Sequence, residues 1–382
     1  MFAVPDSAIR LLLDGPPPRR SWETILAEVG PSNPLSIDDA ASIIRMSRMG
    51  CDVLPAVVAR AAEVKAEVLG DSVKLFVPVY LSNICENDCV YCAYRSGHDA
   101  MPRRTLSEED FRREIAQVLG MGYRVIELVT SESPELKGAG RLARYVSIAR
   151  EMADSAPHAG EDAEVILMSW ALSEDEFAEV RAAGCDAFYL WQETYDRDSY
   201  AALHPAGTPK ADFDWRVQVF DRALRAGIRR VGLGVLFGLA SWDFDVLALI
   251  AHGKYLEETY GVPVDVIGIP RFKPASGTPL AEPPNPVSDD ELRLAVALYR
   301  LAFPHSQVFL NTREKLSLML DLLAGGGSEM NVACAIFPGG YTEQTHDRQF
   351  EHYSYPTDKT LRLLREKGYR PSHFVTGQTA SK

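Results

Sequence analysis

From Lys74 onward, short runs rich in β-branched and aromatic residues alternate with longer stretches whose apolar positions recur at helical spacing. Runs of the first kind predict strands and stretches of the second predict amphipathic helices. Strands are expected at Lys74–Leu81, Val125–Val129, Val165–Met168, Ala187–Leu190, Val231–Leu236, Val264–Ile269, Gln307–Asn311 and Met330–Ala333. Helices are expected near Ser107–Met121, Arg141–Ala153, Ser173–Ala183, Phe213–Ala226, Asp243–Tyr260, Asp289–Ala302, Glu314–Ala324 and Asp358–Lys367. Ser107 with Asp110 three residues on resembles a capping box. Gly122, Gly184 and Gly227 stand where a left-handed residue ends a helix.

The chain before this alternation reads as helix throughout: an opening stretch to Leu13, a break at Pro16–Pro18, then Ser21–Val29 and Ser36–Val68. Ser36, with Asp38 and Asp39 behind it, has the form of a helix start. A strand followed by a helix, repeated eight times, predicts a (β/α)8 TIM-type barrel with a helical N-terminal extension; an open doubly wound sheet is the alternative with the same alternation. The expected division is 1–70 for the extension, 71–375 for the barrel and 376–382 for a tail. Barrel chemistry gathers at the C-terminal ends of the strands.

Composition narrows the function classes. A 382-residue chain with 46% hydrophobic and 24% charged residues suits a soluble globular protein with a sizeable core. Its net charge of -13 speaks against nucleic acid, whose phosphates require a basic surface. No apolar run approaches the roughly 20 residues needed to cross a bilayer, and the N-terminus lacks the pattern of a secretory signal. A cytoplasmic protein is expected. Six cysteines do not make a disulfide framework in a chain of this length. Cys51, Cys185 and Cys334 are isolated, but Cys85, Cys89 and Cys92 lie on one loop after the first barrel strand.

Three thiolates at C-x3-C-x2-C spacing can hold three irons of a [4Fe–4S] cubane and leave the fourth iron open to a chelating cofactor. A zinc site or clustered thiols is the alternative. Zinc would want a fourth ligand, and His98 is near but at the spacing of no common zinc module. His204, His252, His305 and His346 have no partner at ligand spacing and are expected to be structural or exposed. Arg216 and Arg222, near Asp212, Asp214 and Asp221, are expected to form salt links along a helix.

The loop YLSNICENDCVYCAYR (Tyr80–Arg95) resembles that of the radical S-adenosylmethionine (SAM) superfamily. With Thr130-Ser131-Glu132, WQETYDRDSYAALHPAGTPKADFDWR (Trp191–Arg216), GIRRVGLGVLFGL (Gly227–Leu239), IPRFKPASGTPL (Ile269–Leu280), NTRE (Asn311–Glu314) and IFPGGYTE (Ile336–Glu343), the chain from about residue 70 to 375 resembles its aromatic amino-acid lyases. The tyrosine lyases are nearest in look, namely 2-iminoacetate synthase of thiamine biosynthesis and the related enzyme of [FeFe]-hydrogenase maturation. The tryptophan lyase that makes 3-methyl-2-indolic acid is more distant.

The resemblance implies a [4Fe–4S] cluster on Cys85, Cys89 and Cys92, and SAM held near Tyr91, Thr130, Ser131, Glu132 and Glu193. It further implies an amino-acid substrate held by Arg313, Tyr80 and Asn331, and an electron donor such as flavodoxin or ferredoxin. Arg313 would pair with the substrate carboxylate through its planar fork. The implied reaction is radical cleavage of the Cα–Cβ bond of L-tyrosine to 2-iminoacetate and p-cresol. Three positions depart from the family pattern: Ser131 replaces a usual Gly, and Asn331 and Cys334 replace usual serines. The last two touch the substrate pocket, so carboxylate migration on tryptophan or another radical rearrangement stays open. So does a non-catalytic iron–sulfur or zinc scaffold. No cysteine follows Cys334, so the second-cluster chemistry of the hydrogenase relative is not expected.

Overall fold

Residues 72–82 form the seam of the molecule. The structure is a computed structural model that describes every residue except 17, 19, 139, 157–162, 344–347 and 376–382. Its strands are β1 (Ser72–Leu75), β2 (Val77–Ser82), β3 (Val125–Thr130), β4 (Glu164–Met168), β5 (Ala187–Trp191), β6 (Val231–Gly234), β7 (Val266–Gly268), β8 (Gln307–Leu310), β9 (Glu329–Met330) and β10 (Arg370–Ser372). All pair in parallel, in the order β10-β1-β9-β8-β7-β6-β5-β4-β3-β2. Only Phe76 separates β1 from β2. The ring therefore closes through a single split strand, whose lower half pairs with β9 and whose upper half pairs with β3. The expected (β/α)8 barrel is present, with β10 added beside β1.

The closure is uneven. Lys74 and Leu75 face Glu329 and Met330 across the lower seam. Above Phe76, no ladder joins β2 to the chain after β9 among the described residues. Side chains bridge the gap instead. The Tyr341 hydroxyl donates to Pro78 O at 2.9 Å and accepts from Ala335 N–H at 3.1 Å.

Strands β2 and β3 are buried along their whole length, as parallel strands covered on both faces must be. Inside the ring, Phe76, Val125, Ile166, Ala187, Tyr189, Val266 and Phe309 form an apolar layer against which Met168 and Trp191 pack. Below it lies a charged layer. Lys74 pairs with Glu164 at 2.8 Å and Glu329 at 3.6 Å, while Arg230 reaches Glu164 and Asp265, each at 3.0 Å. Trp191 lies across a shelf of glycines on β6 and β7. A Cβ on Gly234 would meet its ring at 2.3 Å, and one on Gly268 at 2.5 Å. Gly234→Ala should therefore destabilise the protein by about 1–3 kcal/mol through overpacking, visible as a lowered melting temperature. Without the Trp191 contact, the same change in a strand would be neutral or favourable.

Helices follow the strands where expected, at Glu108–Gly120, Arg141–Ser155, Glu174–Ala182, Trp242–Tyr260, Asp289–Ala302, Leu316–Ala324 and Thr357–Glu366. Gly122, Gly184 and Gly227 have left-handed φ of 104°, 97° and 93° and close the helix ends before them. The stretch expected at Phe213–Ala226 divides at Gln218 into Phe213–Val217 and Val219–Arg225. A helix at Arg197–Leu203 and strand β10 were not anticipated.

One expectation in the extension is corrected. Ser36–Val68 is two helices, Ile37–Arg48 and Leu54–Leu69. The break is set by Gly50 in the left-handed region (φ 84°) and Pro55 in the first turn of the second helix. These helices share the barrel's core: Leu54–Leu69 packs on Asp289–Ala302, and Asp6–Asp14 and Ile37–Arg48 pack on Trp242–Tyr260. The tail expected at 376–382 lies outside the described residues. No helix among the described residues is long and apolar enough to cross a membrane.

Candidate active site

At the C-terminal ends of the strands opens a cavity of about 220 Å³, lined by residues from every sequence segment singled out above. The cysteine loop leaves β2 at Ser82 and is stapled on both sides. Ser131 Oγ donates to Ile84 O at 2.7 Å and Ser82 O at 3.1 Å. Arg103 donates to Asn83 O at 2.6 Å and Tyr94 O at 2.8 Å, and Arg104 N–H reaches Asn83 Oδ1 at 2.8 Å. Such side-chain partners let an irregular backbone hold one shape.

Cys85, Cys89 and Cys92 are unpaired thiols, and all three line the cavity. Burial pushes the Cys89 thiol up to about 12 and raises that of Cys85. Burial thus disfavours the thiolates of Cys85 and Cys89, and a cation bound there would supply the missing charge. Among the described residues no three His, Cys, Asp or Glu side chains converge on the sphere of a single metal ion. The donor set fits a cubane, whose ligands stand at its separate corners.

Beside the loop, Asn87 Nδ2 donates to Glu132 Oε2 at 2.8 Å, while its Oδ1 accepts Lys210 N–H at 2.7 Å. Lys137 holds the other Glu132 oxygen at 3.0 Å. Ser131 replaces glycine without strain, because its φ lies outside the left-handed region. Glu193, just after β5, is the reverse case: a buried-site glutamate with φ 74°. A side chain held there usually marks function, since the surroundings must offset the conformational cost. Burial opposes its ionisation, but Lys210 at 2.6 Å and Arg216 at 3.5 Å prevail and hold its carboxyl below the usual range.

Lys210 also donates to the Tyr91 hydroxyl at 3.0 Å, and Tyr91 donates to His204 Nε2 at 2.8 Å. His204 is neutral, pulled down to about 3 by burial, and its Nδ1–H is spent on Tyr200 O at 2.8 Å. His252 is likewise buried and bonded to the Tyr195 hydroxyl at 2.9 Å, and His305 is exposed. His346 lies outside the described residues.

The helix salt links expected of Arg216 and Arg222 are corrected. Arg216 turns inward to Glu193 and Trp191 O, and Arg222 stacks on Trp215 at 3.6 Å and bonds Leu172 O. Sequence spacing cannot distinguish a helical arginine facing solvent from one facing a cavity.

On the opposite wall, Arg313 follows β8. Its guanidinium stacks over the Phe350 ring at 3.4 Å and makes one long contact, 3.5 Å to Arg271 O. It has no carboxylate partner among the described residues, because the neighbouring Glu314 is taken by Arg271. Burial lowers Arg313 to about 10. Tyr80 donates to Gln349 Oε1 at 2.9 Å, and Gln349 Nε2 lies 3.6 Å from Cys92 Sγ. Asn331 Oδ1 accepts Thr312 N–H at 3.2 Å, which leaves its NH2 as the uncommitted end. Cys334 stands beside them, its thiol raised by burial to about 12. Thus Tyr80, Arg313, Asn331, Tyr91, Thr130, Ser131, Glu132, Glu193 and the three cysteines share one cavity. Lys210, Arg216, Asn87, Gln349 and Glu127 also line it and were missed. Asn87, Lys210 and Arg216 lie within the quoted segments Tyr80–Arg95 and Trp191–Arg216 but were not singled out there as site residues, and only the fold brings Glu127 and Gln349 in.

Residues 79–248 match the radical SAM superfamily, and 268–370 match the biotin and thiamin synthesis associated domain. The 2-iminoacetate synthase of Escherichia coli (strain K12) is 31% identical over 310 residues, 81% of this chain and 78% of the relative. The chain belongs to the radical SAM superfamily. As a radical SAM enzyme it uses a [4Fe–4S] cluster and SAM, and its relatives include carbon–carbon lyases. Its structure resembles the crystal structure of HydG, a maturase of the [FeFe]-hydrogenase, with a TM-score of 0.90 at 29% identity, covering 98% of this chain and 81% of that one. A 3-methylornithine synthase of Methanosarcina barkeri is 25% identical over 82% of this chain and 84% of its own length.

Proposed function

We propose that this radical SAM enzyme cleaves the Cα–Cβ bond of L-tyrosine to give 2-iminoacetate and p-cresol. The observation that carries the reading is Arg313, a half-buried guanidinium in the cavity wall that makes no ion pair with any acid among the described residues. A buried cation is costly when unpaired, and a substrate carboxylate restores the balance through two parallel N–H···O bonds. Tyr80 and Asn331 line the same cavity as Arg313 and would meet the α-amine of such a substrate. The Asn331 NH2 can donate only to the lone pair of a neutral amine, which leaves the amine N–H bonds facing away.

When bound, the cluster and SAM supply a 5′-deoxyadenosyl radical that removes a hydrogen atom from the substrate. The chain's part is placement, because the radical itself is unselective. Lys210, Arg216 and Glu193 form a charged wall on the cofactor side, and Arg313 forms the substrate side. Loss of the amine hydrogen lets the Cα–Cβ bond break, leaving 2-iminoacetate and a 4-hydroxybenzyl fragment. One further electron and a proton convert that fragment to p-cresol. Two electrons are therefore needed per turnover, one of them to open SAM, and a cytoplasmic flavodoxin or ferredoxin is the proposed donor.

The test is anaerobic reconstitution followed by SAM and dithionite with tyrosine, tryptophan or no amino acid. The expected result is 5′-deoxyadenosine that rises with tyrosine, accompanied by p-cresol and glyoxylate, the hydrolysis product of 2-iminoacetate. A response to tryptophan alone would replace the substrate and keep the radical chemistry.

A further inference from the structure

The floor of the cavity holds a group that the reaction above does not use. Glu127 lies mid-way along β3, between Val125 and Val129, whose side chains face the barrel interior. Side chains alternate along a strand, so Glu127 shares that inward face. It is 5% exposed, lines the cavity and makes no hydrogen bond or ion pair among the described residues. Met168, Trp191 and Phe309 line the same cavity, with Trp191 and Phe309 stacked at 6.3 Å, and Lys74 and Glu329 of the charged layer lie within electrostatic reach of the Glu127 carboxyl. Aromatic and apolar lining residues together with a carboxyl that has no hydrogen bond or ion pair of its own suit a flat ring that carries a single hydrogen-bonding group.

The depth agrees. Glu127 pairs in register with Pro78, and Val129 with Tyr80 two residues higher. Two residues of strand rise about 6.6 Å, close to the span from the α-carbon of a tyrosine to its hydroxyl. Tyr80 and Cys334 both lie within electrostatic reach of Arg313 above and Glu127 below. An amino acid anchored at Arg313 and Tyr80 would hang its side chain toward Glu127.

We propose that Glu127 is the specificity-determining residue of the pocket, receiving the para-hydroxyl of a phenolic amino acid. This rests on the tyrosine-lyase reading and extends it from the carboxylate end of the substrate to the ring end. Burial and the nearby Glu329 outweigh the Lys74 cation and raise the Glu127 carboxyl to about 8, so near neutral pH it can both donate to and accept from a phenol. A site built to bond a hydroxyl rejects the analogue that lacks it, because the buried group is then left unpaired.

The experiment compares wild type, Glu127→Gln and Glu127→Leu as reconstituted holoenzymes with SAM. Equilibrium binding of L-tyrosine, L-phenylalanine and L-tryptophan is measured, and then 5′-deoxyadenosine yield. Wild type should prefer tyrosine to phenylalanine, and Glu127→Gln should keep part of that preference. Glu127→Leu should lose it by about tenfold to a hundredfold and gain phenylalanine binding. Glu127→Leu should also melt at a higher temperature than wild type, since it removes a buried carboxyl that lacks a partner. That result would show the variant is folded and that the residue is kept for the ligand. If Glu127→Leu binds tyrosine with the wild-type preference, the assignment falls and the lyase reading stands. If wild type binds tryptophan and not tyrosine, both fall together.

Discussion

Cys89→Ala should give a folded protein that retains no cluster. Iron and sulfide per chain and the visible iron–sulfur absorption fall to background after reconstitution, and no 5′-deoxyadenosine forms with any amino acid. The loss is total because three thiolates already leave one iron without a protein ligand, so the set has no redundancy. The fold should survive, since trading a small buried thiol for a methyl group costs only about 1 kcal/mol. Cys334→Ala is the informative control. Cys334 is as buried as Cys89 (each 6% exposed) and lines the same cavity, yet it lies on the chain after β9 and should leave iron content unchanged. Equal iron loss in both variants would mean that the loop of Cys85, Cys89 and Cys92 is not what holds the cluster.

The second large effect is expected at Arg313. Arg313→Lys keeps the charge but loses the planar fork, and Arg313→Met loses both. We expect kcat/KM for tyrosine to fall by about 10²–10³-fold in Arg313→Met, the size seen when one partner of a buried charge pair is removed. Arg313→Lys should recover only part of this. The unliganded stability should move the other way. The guanidinium is half-buried without an ion-pair partner among the described residues, so Arg313→Met should melt at or above the wild-type temperature. A fall in melting temperature comparable to the fall in activity would mark Arg313 as a packing residue instead. Unchanged tyrosine binding in Arg313→Met would remove the carboxylate role altogether.

The barrel and the cysteine loop were legible in the sequence because each rests on local pattern. Strand runs buried on both faces, by helices outside and by side chains inside the ring, are nearly continuously apolar, and cluster ligands must sit close together on one loop. Legibility failed where partners are set by three-dimensional approach. Lys210 and Arg216 are ordinary cations in an acidic stretch until the loop after β5 folds back to bring them to Glu193. Glu127 reads as one polar residue in a strand, and only the closed ring turns it inward. Boundaries failed for a local reason at Gly50 and Pro55, whose punctuation of the Ser36–Val68 stretch was passed over. The alternation of strands could not separate a closed ring from an open sheet. The pairing of residues 72–82 with both β3 and β9 decides it.

That split strand bears on how the enzyme is loaded. A ring of strands resists widening through its main-chain ladders, much as a barrel resists through its hoops. Here the lower half of the split strand is laddered to β9, but the upper half is fastened across that seam by side chains, notably the Tyr341 hydroxyl between Pro78 O and Ala335 N. Each such link contributes about 1 kcal/mol, and it can be broken and remade without disturbing the ladders. The mouth is thus compliant on one side and stiff elsewhere. A bulky ligand would enter by flexing that side, while β3, which carries Glu127, and β5 and β8, which lead into Glu193 and Arg313, keep their ladders.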